Sequence, residues 1–121
     1  MIALRGKYSG TIGRIRKAAA VTLIRVCAID ELPPGEARRV PTTPSIAVFN
    51  VDGEFYATAD SCSHDESSLA DGYIEGDQVE CAFHFAKFCV RTGQVLSPPA
   101  TRDIATYPIE VNGGIVYVET G

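Results

Sequence analysis

Beyond residue 20, apolar and polar positions follow each other in short runs, mostly with a period of two. Val21 to Val26 reads as a first strand. Leu32-Pro33-Pro34-Gly35 marks a turn, and Ala37 to Val40 a short second strand. Ser45 to Val51 is apolar at successive positions (Ile46, Ala47, Val48, Phe49), as a strand buried on both faces would be. Asp52-Gly53 supplies a two-residue hairpin turn that needs positive φ. Glu54 to Ala59 then alternates, with Phe55, Ala57 and Ala59 on one side. Gln78 to Cys81, Lys87 to Val90 and Gln94 to Leu96 are again strand-like, the last pair joined across Arg91-Thr92-Gly93. Thr106 to Val111 and Ile115 to Glu119 form a closing hairpin across Asn112-Gly113-Gly114. No segment after residue 20 carries a helical pattern. Short strands with turn signals between them predict an all-β fold, an antiparallel sandwich or small barrel.

At 121 residues, 45% apolar and 21% charged, the composition is that of one globular domain. No apolar run approaches the roughly 20 residues that a membrane-spanning helix needs, which excludes a transmembrane reading. The chain is also too small for a substrate domain beside a separate cofactor domain.

Charge divides the chain in two. Residues 1–20 hold five basic residues and no acid, and read as an appended basic arm; an arm folded back on an acidic domain is the alternative. Residues 21–121 hold six basic and fifteen acidic residues, a net of −9. A domain that acidic repels nucleic acid and anionic lipid and suits a partner protein with a basic docking surface. Acidity for solubility alone is the plainer alternative. Ala18 to Ile24 is apolar, but Arg25 follows and no small-residue cleavage pattern does; Arg38-Arg39 lies too far in for an export signal. The expectation is a cytoplasmic protein, where paired thiols more often mean metal than disulfide.

The chemistry is concentrated between Ala59 and Lys87. Cys62-Ser63-His64 is followed, after sixteen intervening residues, by Cys81-Ala82-Phe83-His84. Both histidines of the chain are in these two boxes. Two thiolates and two imidazoles make a four-ligand set for a soft or borderline metal. Structural zinc modules usually draw a cysteine pair from one loop and a histidine pair from another element. Here each loop offers one of each, so two loops can clasp an elongated object with cysteines at one end and histidines at the other. A two-iron, two-sulfide cluster has that shape, and a Rieske centre takes two Cys on one iron and two His on the other. A mononuclear zinc site stays open, as do buried thiols beside polar loop histidines. Cys27 and Cys89, in apolar runs, read as packing residues.

The chain resembles the Rieske-type ferredoxins of bacterial aromatic-ring dioxygenase systems, of the biphenyl, alkylbenzene and phenylpropionate types. The resemblance runs from about Val21 to Glu119. It rests on the two ligand boxes, on Phe49-Asn50-Val51-Asp52-Gly53-Glu54-Phe55-Tyr56-Ala57-Thr58, and on Phe88-Cys89-Val90-Arg91-Thr92-Gly93. It implies a domain over residues 21–121 with a cluster-binding subdomain at about 60–97. It also implies one [2Fe–2S] cluster, with Cys62 and Cys81 on the inner iron and His64 and His84 on the outer one through Nδ1. Ser97-Pro98-Pro99-Ala100 matches the proline loop that covers the cluster in such proteins.

The function the resemblance implies is one-electron transfer from an NAD(P)H-dependent flavoprotein reductase to a terminal oxygenase, by a diffusing monomer that is not itself an enzyme. A small Rieske subunit of a larger redox enzyme, such as a nitrite reductase, is the alternative. Compared with the respiratory Rieske subunit, Ser67 and Phe83 stand where that relative has its disulfide, and Ala86 and Phe88 where it has hydroxyl donors. Without those donors the potential is expected at the low end of the Rieske range of about −150 to +300 mV. Phe83 and Phe85 flank His84, either as a docking rim or as a shield against water; Asp65 and Glu66 either steer a basic partner or are solvated loop acids.

Overall fold

The computed structural model describes residues 22–62, 68–82 and 85–120. They form eleven strands: β1 (Thr22–Ala28), β2 (Ala37–Val40), β3 (Ile46–Val51), β4 (Glu54–Ala59), β5 (Tyr73–Glu75), β6 (Gln78–Glu80), β7 (Lys87–Cys89), β8 (Val95–Ser97), β9 (Thr106–Tyr107), β10 (Ile109–Asn112) and β11 (Ile115–Thr120). Single 3-10 turns occupy Ile29–Glu31 and Leu69–Asp71. The sheets run β1-β11-β10, β2-β3-β4-β9 and β5-β6-β7-β8, and every strand pair is antiparallel. Among the described residues no helix is long and apolar enough to cross a membrane. The all-β antiparallel expectation holds.

The continuous apolar run in β3 explains the layering. All six residues of β3 are buried. Ile46 and Val48 pack with Cys27, Val40, Ala57, Val116 and Val118 against the first sheet. Ala47, Phe49 and Val51, of opposite parity, pack with Leu69, Val79, Phe88 and Val90 against the third. Asn50 is the polar exception on β3. Its Nδ2 donates to the Leu32 carbonyl at 2.7 Å, and its Oδ1 accepts from Gly53 N–H at 2.7 Å. Both halves of its amide are thereby satisfied, and the amide braces the β3–β4 hairpin. Asp52 (φ 53°) and Gly53 (φ 94°) make the left-handed pair expected of that hairpin.

Several strands begin or end one residue from the sequence expectation, as in Gln78–Glu80, Lys87–Cys89 and Val95–Ser97, and three differences are larger. The first strand continues through Cys27 to Ala28, with a bulge between Arg25 and Cys27. Thr106 to Val111 is not one strand. It divides at Pro108, which lacks an N–H for the ladder, so β9 pairs with β4 while β10 pairs with β11 in another sheet. Tyr73–Glu75 is a further strand within a stretch that reads as polar, because three residues between two glycines show too little alternation.

Arg91 ties the third sheet to the second at the surface. Its Nε meets Asp77 Oδ2 at 3.2 Å and its Nη1 meets Glu54 Oε1 at 3.4 Å. Nη1 also donates to the Tyr56 hydroxyl, and the guanidinium lies 4.9 Å from the Tyr56 ring centre. The hydrogen bond to Glu54, foremost, pushes the Tyr56 phenol above its ordinary pKa. Residues 1–20 lie outside the described residues.

Candidate metal centre

β4 leads directly into the first cysteine loop, and the residue that joins them is a buried acid. Asp60 is 2% exposed. Its carboxylate accepts from Ser45 Oγ at 3.2 Å and pairs with Arg39 Nε at 3.1 Å. It also accepts from Ser68 Oγ at 2.8 and 2.9 Å, and from Ala70 N–H at 3.0 Å. The main chain repeats the closure, with Leu69 N–H donating to the Asp60 carbonyl at 2.6 Å and a bridge between Ser61 and Ser68. Asp60 therefore fastens both ends of the loop to strand β2 and to Ser45 at the entry of β3. A buried carboxylate is tolerated here because every face of it meets a donor. Cys62 lies just inside this neck, 3% exposed.

The second cysteine is held by the backbone. Cys81 N–H donates to the Ala86 carbonyl at 2.8 Å, and Phe85 N–H donates to the Cys81 carbonyl at 3.0 Å. Cys81 and Ala86 are both wholly buried, so the chain leaves and re-enters the core within six residues. To do so Phe85 takes a left-handed conformation, φ 61°.

Cys62 and Cys81 thus come from two separate loops into one buried cluster, with Leu69, Ala86, Phe88 and Ala100 among its members. Ala100, the last residue of the Ser97-Pro98-Pro99-Ala100 segment, packs in the same cluster. Ala86 and Phe88 are apolar and wholly buried. The other two cysteines belong elsewhere: Cys27 is buried in the core between the first and second sheets, where desolvation pushes its thiol pKa up, and Cys89 is half-buried on β7. His64 and His84 lie outside the described residues, as do Asp65, Glu66, Ser67 and Phe83.

A buried thiolate is costly unless a cation sits on it. Two thiols drawn from two loops into one dry cluster fit the cysteine half of an iron–sulfur donor set. Buried thiols acting as small hydrophobes would give the same packing, and kinship separates the two readings. Residues 22–108 match the Rieske [2Fe–2S] domain. The chain belongs to the Rieske [2Fe–2S] family. As a Rieske protein it carries a [2Fe–2S] cluster as cofactor.

This Rieske chain is 50% identical over 101 residues to the biphenyl dioxygenase ferredoxin subunit of Pseudomonas sp. strain KKS102, a span of 82% of this chain and 93% of the relative. It is 48% identical over 97 residues to the 3-phenylpropionate/cinnamic acid dioxygenase ferredoxin subunit of Escherichia coli K12, 79% of this chain and 92% of that one. Its fold matches a chain in the complex of reduced oxygenase and oxidised ferredoxin of carbazole 1,9a-dioxygenase. The TM-score is 0.77 at 41% identity, over 79% of this chain and 91% of the other. The Rieske chain is a ferredoxin, an electron carrier of the aromatic dioxygenase type and not itself a catalyst.

Sequence reading missed Asp60 and the left-handed Phe85. Asp60 gave no signal because its partners lie 8 to 21 residues away along the chain. Phe85 gave none because a phenylalanine is not a turn residue.

Proposed function

We propose that Cys62, His64, Cys81 and His84 hold the cluster, with the two thiolates on the inner iron and Nδ1 of each imidazole on the outer one. The chain takes one electron from an NAD(P)H-dependent flavoprotein reductase and delivers it to the terminal oxygenase of an aromatic-ring dioxygenase system. When bound, the cluster supplies reversible one-electron redox chemistry. The protein supplies the rest. Cys62 and Cys81 anchor from within the core, which keeps water from the thiolates. The two histidines, one from each ligand box, would hold the iron through which the electron is exchanged with a partner. The Ala86 and Phe88 side chains offer no hydrogen bond to a sulfur, which holds the potential at the low end of the Rieske range of about −150 to +300 mV. A low potential suits a carrier that accepts from a flavin.

The observation that carries this reading is the convergence of two buried thiols from two loops on one apolar cluster. The carrier works as a cytoplasmic monomer, meeting each partner transiently through a small interface. A net charge of −9 over residues 21–121 steers these encounters. The test is reconstitution with a flavoprotein ferredoxin reductase, NADH and a terminal oxygenase, after assay of iron and acid-labile sulfide. Matched iron and sulfide, with reduction that slows as ionic strength rises, is the expected result. A colourless zinc protein overturns the electron-transfer assignment, and a rate flat from low to high salt removes the steering claim.

A further inference from the structure

Phe85 combines two properties that rarely occur together in one aromatic residue. Its backbone is left-handed, at φ 61°, a conformation that glycine adopts at little cost and a side chain with a Cβ does not. Its ring is not repaid by packing, since the residue is 61% exposed. The turn itself does not require a ring. The bonds that close it, Cys81 N–H to the Ala86 carbonyl and Phe85 N–H to the Cys81 carbonyl, are all backbone. Glycine at position 85 would make the same turn with less strain and hide more apolar area from water. Strain of this kind, held next to a functional group, points outward.

Position 85 directly follows His84, one Cα step of about 3.8 Å along the chain. On the ligand reading proposed above, on which this inference rests, the ring stands at the edge where the electron leaves. Aromatic anchors surrounded by neutral contacts carry most of the energy in small interfaces. The charge on this domain can steer a partner, but charge alone does not fix the short, dry approach that electron transfer needs.

We propose that Phe85 is a docking anchor for the terminal oxygenase, its ring entering an apolar depression beside the oxygenase's electron-accepting centre. The oxygenase is chosen over the reductase because a ferredoxin chain 41% identical to this one occurs in a complex with its oxygenase. The exposed ring is thus retained for the partner, at a cost to the free protein.

That trade-off gives the test. Phe85→Gly and Phe85→Leu are compared with the wild-type holoprotein, with the oxygenase component of biphenyl dioxygenase as electron acceptor. Phe85→Gly is expected to unfold at the same or a higher temperature, with an unchanged midpoint potential and electron paramagnetic resonance spectrum. Its KM for transfer to the oxygenase rises about tenfold or more, as for loss of an interface anchor, while the rate at saturation holds. Phe85→Leu, which keeps an apolar side chain, recovers most of the loss.

An unchanged KM in Phe85→Gly overturns the proposal. So does a lower unfolding temperature, which would make the ring structural. Slowed reduction by the reductase with normal delivery to the oxygenase overturns the choice of partner, and a wild-type holoprotein that gives the oxygenase no electrons overturns the proposal outright. A wild-type chain without an iron–sulfur signal brings down the ferredoxin reading itself, a result distinct from all of these.

Discussion

The two cysteine loops reach one buried cluster by different means. The first is closed by a side chain: Asp60 gathers Ser45, Arg39, Ser68 and Ala70 and so ties both ends of the loop to β2 and to the entry of β3. Among the described residues the second is closed by main-chain bonds, those between Cys81 and the Phe85 and Ala86 peptide groups. A loop fastened chiefly through one buried carboxylate, with a single main-chain bond and a bridge beside it, leans on that residue. A turn fastened by its own peptides leaves its side chains free for other work. The first loop is thus specialised for holding, and the second has room to present Phe85 outward.

The comparison breaks most sharply at Asp60. Asp60→Ala removes the acceptor for two hydroxyls, an N–H and a guanidinium at once. Arg39 is 57% exposed and returns to water, so the loss comes mainly from the half-buried donors. We expect about 2–3 kcal/mol of destabilisation in chemical denaturation. Iron release to a chelator from the holoprotein should also quicken, since the neck beside Cys62 is loosened. Normal stability with normal iron retention would mean that the Leu69-to-Asp60 backbone bond suffices and that the two loops are held alike.

Gly72 offers a smaller effect that joins the two loops. It follows the 3-10 turn at the exit of the first loop and faces the strand that leads to Cys81. A Cβ there would lie 2.3 Å from the Glu80 carbonyl oxygen, a backbone atom with little room to give. Gly72→Ala should cost about 1–3 kcal/mol, through a shift between the first loop's exit and β6. Thermal unfolding would read it. A neutral result would show that the two loops are mechanically independent.

Smallest is the effect in the second turn. Ala82 is half-buried and its side chain takes no part in the closing bonds. Ala82→Ser should change stability by no more than about 0.5 kcal/mol, with the potential unmoved. A large loss there would show that side-chain packing, and not the main-chain hydrogen bonds, closes that turn.

The sequence made some of this legible and left the rest dark for physical reasons. The both-face apolarity of Ile46 to Phe49 announces the central strand, because only a buried strand can use it. Asp52-Gly53 announces the hairpin because few other pairs tolerate its backbone. The Cys and His boxes are legible because ligand chemistry permits few residue types. The Asp60 hub is invisible beforehand, since it depends on Ser45 and Arg39 being brought beside β4 by sheet pairing. The split at Pro108 could have been read from the missing N–H, whereas the change of sheet that follows it could not. The left-handed backbone at Phe85 goes with the two main-chain hydrogen bonds around it and leaves no mark in composition.

The central claim is that these two loops give a cluster two sulfur and two nitrogen ligands. Its most direct test is pulsed electron paramagnetic resonance of the dithionite-reduced protein, purified without added metal. The account predicts a rhombic iron–sulfur signal coupled to two histidine nitrogens, with one coupling lost in His64→Cys. A cluster signal without nitrogen coupling, or a protein silent and zinc-loaded, would contradict it.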